Sequence, residues 1–153
     1  MALMSQNITR WEIDTQIEAP CADISFARLP DQALRVVMHF SSVRDGLPDD
    51  LEIIFAQAYA LTWHNESLHS VSVQWPKPLP RLLSGRWQGW TYPLLRIRGS
   101  EWLKRFDLMP QAKQLGHFAL VAMNDIVEVV AGPGPAHRWL SHTGPSSPTL
   151  TQG

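Results

Sequence analysis

Apolar and polar residues alternate along much of this chain, the pattern of strands with one face buried. The clearest run is Leu34-Arg35-Val36-Val37-Met38-His39-Phe40, which predicts a strand with Leu34, Val36, Met38 and Phe40 turned inward. Upstream, Trp11, Ile13 and Ile17 fall on one side of 11–18 and predict a strand that Ala19-Pro20 ends. Ile24-Ser25-Phe26-Ala27 reads as a short successor. Residues 51–64 satisfy two periods. As a strand, Leu51, Ile53, Phe55, Tyr59, Leu61 and Trp63 share a face interrupted at Gln57; as a helix, Asp49 or Asp50 caps the start and Ala56, Ala58 and Ala60 favour the interior. The aromatic positions and the small residues opposite them favour one long or bulged strand. Val71–Trp75 is a short alternating strand stopped by Pro76, and Pro76–Gly89 reads as a long loop.

The last third is the most regular. Pro93–Arg98 predicts a strand, and Ser100–Phe106 a helical turn with Ser100 as N-cap, Glu101 in the first turn and Trp102 and Phe106 on one face. His117–Met123 and Ile126–Ala131 predict a hairpin joined by Asn124-Asp125, with Phe118, Leu120, Ala122, Val127, Val129 and Ala131 inward. Glu128, on the opposite face, is expected to meet Arg96 or Arg98 on a neighbouring strand. From Gly132 to Gly153 the Gly, Pro, Ser and Thr content predicts a poorly packed tail. The expected fold is a mainly β single domain over 1–131, an antiparallel sandwich or partly open barrel with one or two short helices. An α+β arrangement replaces it if 51–64 is helical.

Composition narrows the function classes. A chain of 153 residues suits one domain, and 44% hydrophobic with 18% charged residues describes a globular body. The net charge is −1 and no basic run is present, so a non-specific nucleic-acid binder is not expected. The longest apolar stretches are strand length, which argues against a bilayer-spanning helix. The first seven residues lack a basic n-region and an apolar h-region, so no signal peptide is expected. Cys21 is the sole cysteine, leaving no intramolecular disulfide and no multi-cysteine zinc site. The expected compartment is the cytoplasm. Of the seven tryptophans, Trp11, Trp63 and Trp102 read as core anchors, while Trp75, Trp87, Trp90 and Trp139 lie near Pro or Gly in segments that reach the surface.

The run Ser100-x-Trp102-Leu103-x-x-Phe106, then His117-Phe118, then Glu128-Val129-Val130-Ala131, resembles a segment of small β-rich bacterial proteins. Some of these resemble immunity or accessory factors that bind a protein partner. The resemblance spans residues 100–131 and implies a binding role without any catalytic residue.

Three constellations carry possible chemistry. His39, His64, Glu66, His69, His117 and Glu128 could converge if their strands are neighbours, as a metal site in a barrel mouth requires. Their spacing contains no local metal motif, and solvated or hydrogen-bonded histidines are the simpler reading. For nucleophilic catalysis, Cys21 has no flanking signature and Ser84-Gly85 is not a nucleophile elbow. Asp49-Asp50 fits a solvated loop, and Gly132-Pro133-Gly134 lacks the donors of a phosphate cradle. The third is Leu82–Tyr92, where Arg86, Trp87, Trp90 and Tyr92 cluster; these residue types are enriched at binding hot spots. The function expected is therefore a non-enzymatic, immunity- or accessory-like module that occludes another protein through those four anchors. No cofactor, nucleic acid or membrane is implied, and self-association is left open. The alternatives are a small metal-dependent β-barrel enzyme using His39, His64, Glu66 and His117, and a carbohydrate-binding module with tryptophan platforms.

Overall fold

A computed structural model of the chain describes residues 6–14, 17–41, 49–65 and 79–140. Its elements are β1 (Asn7–Arg10), β2 (Cys21–Arg28), β3 (Leu34–Phe40), β4 (Asp50–Phe55), β5 (Ala58–Asn65), β6 (Leu94–Arg98), α1 (Glu101–Lys104), β7 (Gly116–Val121), β8 (Asp125–Ala131) and β9 (Ala136–Leu140). The strands form two open antiparallel sheets, ordered β1-β6-β7-β8-β5 and β2-β3-β4-β9, in the arrangement of a sandwich rather than a closed barrel. Among the described residues, no helix is long and apolar enough to cross a membrane.

The alternation of β3 holds: Leu34, Val36, Met38 and Phe40 are all buried, opposite Leu51, Ile53 and Phe55 on the adjacent β4. Phe55 meets Phe118 of the other sheet at 5.6 Å between ring centroids, and Trp11 lies 4.4 Å from Phe118 and 5.9 Å from Phe55. This aromatic cluster ties the two sheets into one core. The 51–64 segment is strand, not helix, but it is two strands. Residues 56 and 57 carry the chain from β4 in one sheet to β5 in the other, so the shared face expected across Gln57 is split between sheets.

Several boundaries move. The first strand is Asn7–Arg10, four residues before the expected start, and Trp11 continues it with a single bond from its N–H to the Leu94 carbonyl at 2.9 Å. Trp11, Ile13 and Ile17 still pack on the core, so their apolar spacing reported burial without a strand. The β7–β8 hairpin forms, but the Ala122 N–H donates to the Asp125 carbonyl at 2.8 Å, which puts Met123-Asn124 at the turn, one residue earlier than expected. The segment beginning at Gly132, expected as tail, carries β9, whose Trp139 stacks against Phe40 at 5.6 Å and donates to Asp14 at 3.0 Å. Trp139 thus closes the sandwich instead of facing outward. Trp63, expected in the core, lies opposite Val127 on edge strand β5 and is 55% exposed. Trp75, the Val71–Trp75 strand and 141–153 lie outside the described residues.

On the solvent side of the second sheet, Glu52 accepts from Arg35 Nε at 2.6 Å and Arg138 Nε at 2.7 Å. These two hydrogen bonds, with the charges behind them, hold the Glu52 carboxyl below the usual carboxylate range. The Ser100 hydroxyl accepts from the Leu103 N–H at 3.0 Å, capping α1 as its sequence predicts. That cap fixes α1 over β7, where Trp102 sets its ring edge-on to His117 at 5.1 Å.

Candidate functional site

Leu82–Trp90 folds back on itself as a compact loop. Arg81 and Thr91 form an antiparallel bridge, the Leu82 N–H donates to the Trp90 carbonyl at 2.7 Å, and the Gly89 N–H donates to the Leu82 carbonyl at 2.9 Å. The loop turns at Gly85 (φ 83°) and Gly89 (φ 92°), a backbone region that glycine adopts without strain. Trp87 and Trp90 meet edge-to-face at 5.3 Å, and the Arg86 guanidinium lies 5.4 Å from the Trp87 centroid.

The four expected anchors separate on burial. Arg86 is exposed and Trp90 is 47% exposed, so both side chains reach the surface of the loop. Trp87 is half-buried, packs against the core and supports Trp90 from behind. Tyr92 is 4% exposed, its ring under the Arg10 guanidinium at 5.5 Å. Burial, then the nearby Glu12 charge, pushes its hydroxyl up to about 12. Tyr92 is a core residue at the loop's base.

Beside Trp90 lies an open cleft of about 370 Å³, lined by Pro20, Cys21, Trp90, Thr91, Val121, Ala122 and Met123. It forms where the start of β2 meets the end of β7: Cys21 bridges Ala122, and the Met123 N–H donates to the Cys21 carbonyl at 3.0 Å. Met123, 42% exposed at the hairpin turn, lines the same cleft as Trp90. Sequence reasoning missed Pro20, Thr91 and Met123, which belong to three separate segments. The apolar residue at a polar hairpin turn was the one available signal. Burial pushes the Cys21 thiol up to about 12, which disfavours the thiolate that a nucleophile requires, and its S–H donates toward the Asp23 and His39 carbonyls.

The expected histidine constellation assembles in part. His64, His117 and Glu128 come together on three adjacent strands, on the face of the first sheet turned away from the aromatic core. His117 Nε2 lies 2.7 Å from Glu128 Oε1, and His64 Nε2 lies 3.4 Å from Glu128 Oε2 and 3.1 Å from Thr62 Oγ1. The His117 and Glu128 side chains are 4% and 9% exposed. Glu128 therefore pairs with histidines and not with Arg96 or Arg98; β7 lies between β8 and β6, which sets Ala119 opposite Glu128. His39 is on the other sheet, bonded to Asp50, while Glu66 and His69 lie outside the described residues. Among the described residues, no group of three or more His, Cys, Asp or Glu side chains is placed to hold a metal ion. Both histidine nitrogens facing Glu128 are engaged with its oxygens, and His117 lies against Trp102 of α1 on an open sheet, not in a barrel mouth.

Comparison of the chain with protein-family models, curated proteins and solved structures finds no match.

Proposed function

We propose that this protein is a non-enzymatic binding module that occludes a protein partner through the Trp90 loop and the cleft beside it. The observation that carries this reading is the exposure of Trp90 and Met123, which both line one largely apolar cleft. An exposed aromatic beside a hollow that a partner can fill and desolvate is the usual anatomy of a hot spot, and a flexible methionine adapts to the side chain that enters. Charge adds a preference. Between Leu79 and Tyr92 the loop carries Arg81 and Arg86 and no acid, so an acidic surface presenting an apolar side chain fits best. An immunity or accessory role in the bacterial cytoplasm agrees with the resemblance of residues 100–131 and with a single, buried, protonated thiol.

The test is capture by the full chain from extract of the source organism, run in parallel with Trp90→Ala and Trp63→Ser. The reading expects one stoichiometric protein, lost with Trp90→Ala and retained with Trp63→Ser, whose binding weakens as salt rises. A protein retained by Trp90→Ala, or capture of glycans in its place, refutes it.

A further inference from the structure

The turn between β2 and β3 contains two consecutive non-glycine residues in the left-handed region, Asp31 (φ 63°) and Gln32 (φ 66°). Residues with a Cβ hold this conformation only where the surroundings enforce it. Here the Leu29 N–H donates to the Ala33 carbonyl at 2.9 Å, and the turn offers the Gln32 carbonyl to Arg28 Nη1 at 3.3 Å. The same Nη1 donates to the Ala58 carbonyl at 2.7 Å, on the opposite sheet. Nη1 carries two hydrogens, and these two carbonyls account for both. The guanidinium is thereby held in one orientation. Its Nε–H and Nη2 groups have no partner among the described residues, and no carboxylate among them forms an ion pair with Arg28. Nε–H and one Nη2–H lie parallel along one edge of the plane, the fork that takes both oxygens of a carboxylate.

This side chain borders an open hollow of about 300 Å³ lined by Arg28, Gln32, Ala58 and Tyr59. Tyr59 is a fixed wall: its hydroxyl donates to Gln57 Oε1 and accepts from Gln111 Nε2, each at 3.1 Å. We propose that this hollow is a carboxylate-binding site, separate from the Trp90 cleft, in which the free edge of Arg28 grips one carboxylate. The lining holds one cation and no second arginine or lysine, which suits a singly charged carboxylate better than a phosphate dianion. The strained turn has a role in this reading. It aims a carbonyl at Nη1 and so orients the fork before the ligand arrives. The carboxylate can come from a small organic acid or from an acidic peptide; the recognition chemistry is the same.

The test follows the Arg28 Nε–H resonance of the full chain labelled with ¹⁵N-arginine. Sodium acetate and the peptide Gly-Gly-Asp are titrated separately, with sodium chloride and sodium phosphate as controls at matched ionic strength. A saturable shift with acetate identifies a small-acid site, and one with the peptide alone identifies a peptide-carboxylate site; either supports the proposal. Arg28→Lys keeps the charge without the fork and is expected to weaken the response by about tenfold or more. A wild-type response no different from that in chloride overturns the proposal and leaves Arg28 as a staple between the sheets. So does phosphate binding tighter than acetate, or an Arg28→Lys variant with undiminished affinity. If Arg28→Lys does not fold, the wild-type titration decides alone.

Discussion

Replacing Glu128 separates hydrogen-bond geometry from charge in the buried histidine cluster. In Glu128→Ala, the His117 ring keeps its place under Trp102 but loses its one hydrogen-bond partner among the described residues. Its Nδ1 already has no hydrogen-bond partner among the described residues, so both ring nitrogens become unpaired in a side chain that is 4% exposed. Losing a charge-assisted bond at 2.7 Å removes about 1.5–3 kcal/mol, and stranding the imidazole raises the total to about 3–5 kcal/mol. The contact to His64, at 3.4 Å and partly exposed, adds little. Glu128→Gln retains an acceptor for His117 Nε2 and is expected to cost about 1 kcal/mol. For a chain of 153 residues these losses correspond to a fall in Tm of roughly 6–20 °C for Ala and roughly 2–4 °C for Gln. Urea unfolding with unchanged m-values measures both. An Ala variant within about 1 kcal/mol of wild type would show that the pair is not structural. A Gln variant as unstable as Ala would show that charge, not the acceptor, holds His117. The cluster shares no lining residue with the Trp90 cleft, so a stable Glu128→Gln that has lost partner binding would also overturn its structural role.

The two tryptophans of the loop should respond unequally. Trp87→Ala removes a ring packed on the core and is expected to cost about 2–3 kcal/mol, whereas Trp90→Ala forfeits mainly the ring pair, about 1 kcal/mol. Equal losses in urea unfolding would contradict the division into support and anchor. Gly116→Ala should cost about 1–3 kcal/mol, because a Cβ there would stand 2.7 Å from Phe118 Cζ, in a ring already stacked on Trp11; a neutral change in thermal unfolding would mean that ring moves freely. The lowered pKa of Glu52 sets a sign: its stabilisation is complete above the unfolded carboxyl value of about 4.3 and disappears as pH falls through the lower folded value. The stability difference between wild type and Glu52→Gln should be flat near neutrality and shrink in acid, and a difference that widens on acidification would disprove the assignment.

What could be read from the residues divides along physical lines. Local period was sufficient for β3, for the β7–β8 hairpin and for the Ser100 cap, since each depends on residues within a few positions of one another. Sheet membership is not local. Nothing in residues 51–64 announces that the chain changes sheets at 56–57, because a strand's alternation is the same whichever sheet receives it. The partners of Glu128 follow from strand order, which sets Thr62 on one side and Ala119 on the other. Two tryptophans depart from the burial their local sequence predicts, for one reason. Trp63 sits in a regular strand that lies at a sheet edge, while Trp139 follows a Gly-Pro segment that leads back to β4. The Arg86–Tyr92 cluster was legible as a concentration of hot-spot residue types. Its division into Trp90 outside and Tyr92 inside was not, because it depends on how the loop folds back on Leu82.

Hydrogen exchange of the free protein and of its complex with the captured partner tests the central claim most directly. Occlusion through the aromatic loop predicts new protection at Arg81–Thr91, at Met123 and at Cys21, with the edge strands β2 and β5 unchanged beyond the cleft. Protection centred on the exposed Phe26 and Trp63, with the loop exchanging as before, would contradict it.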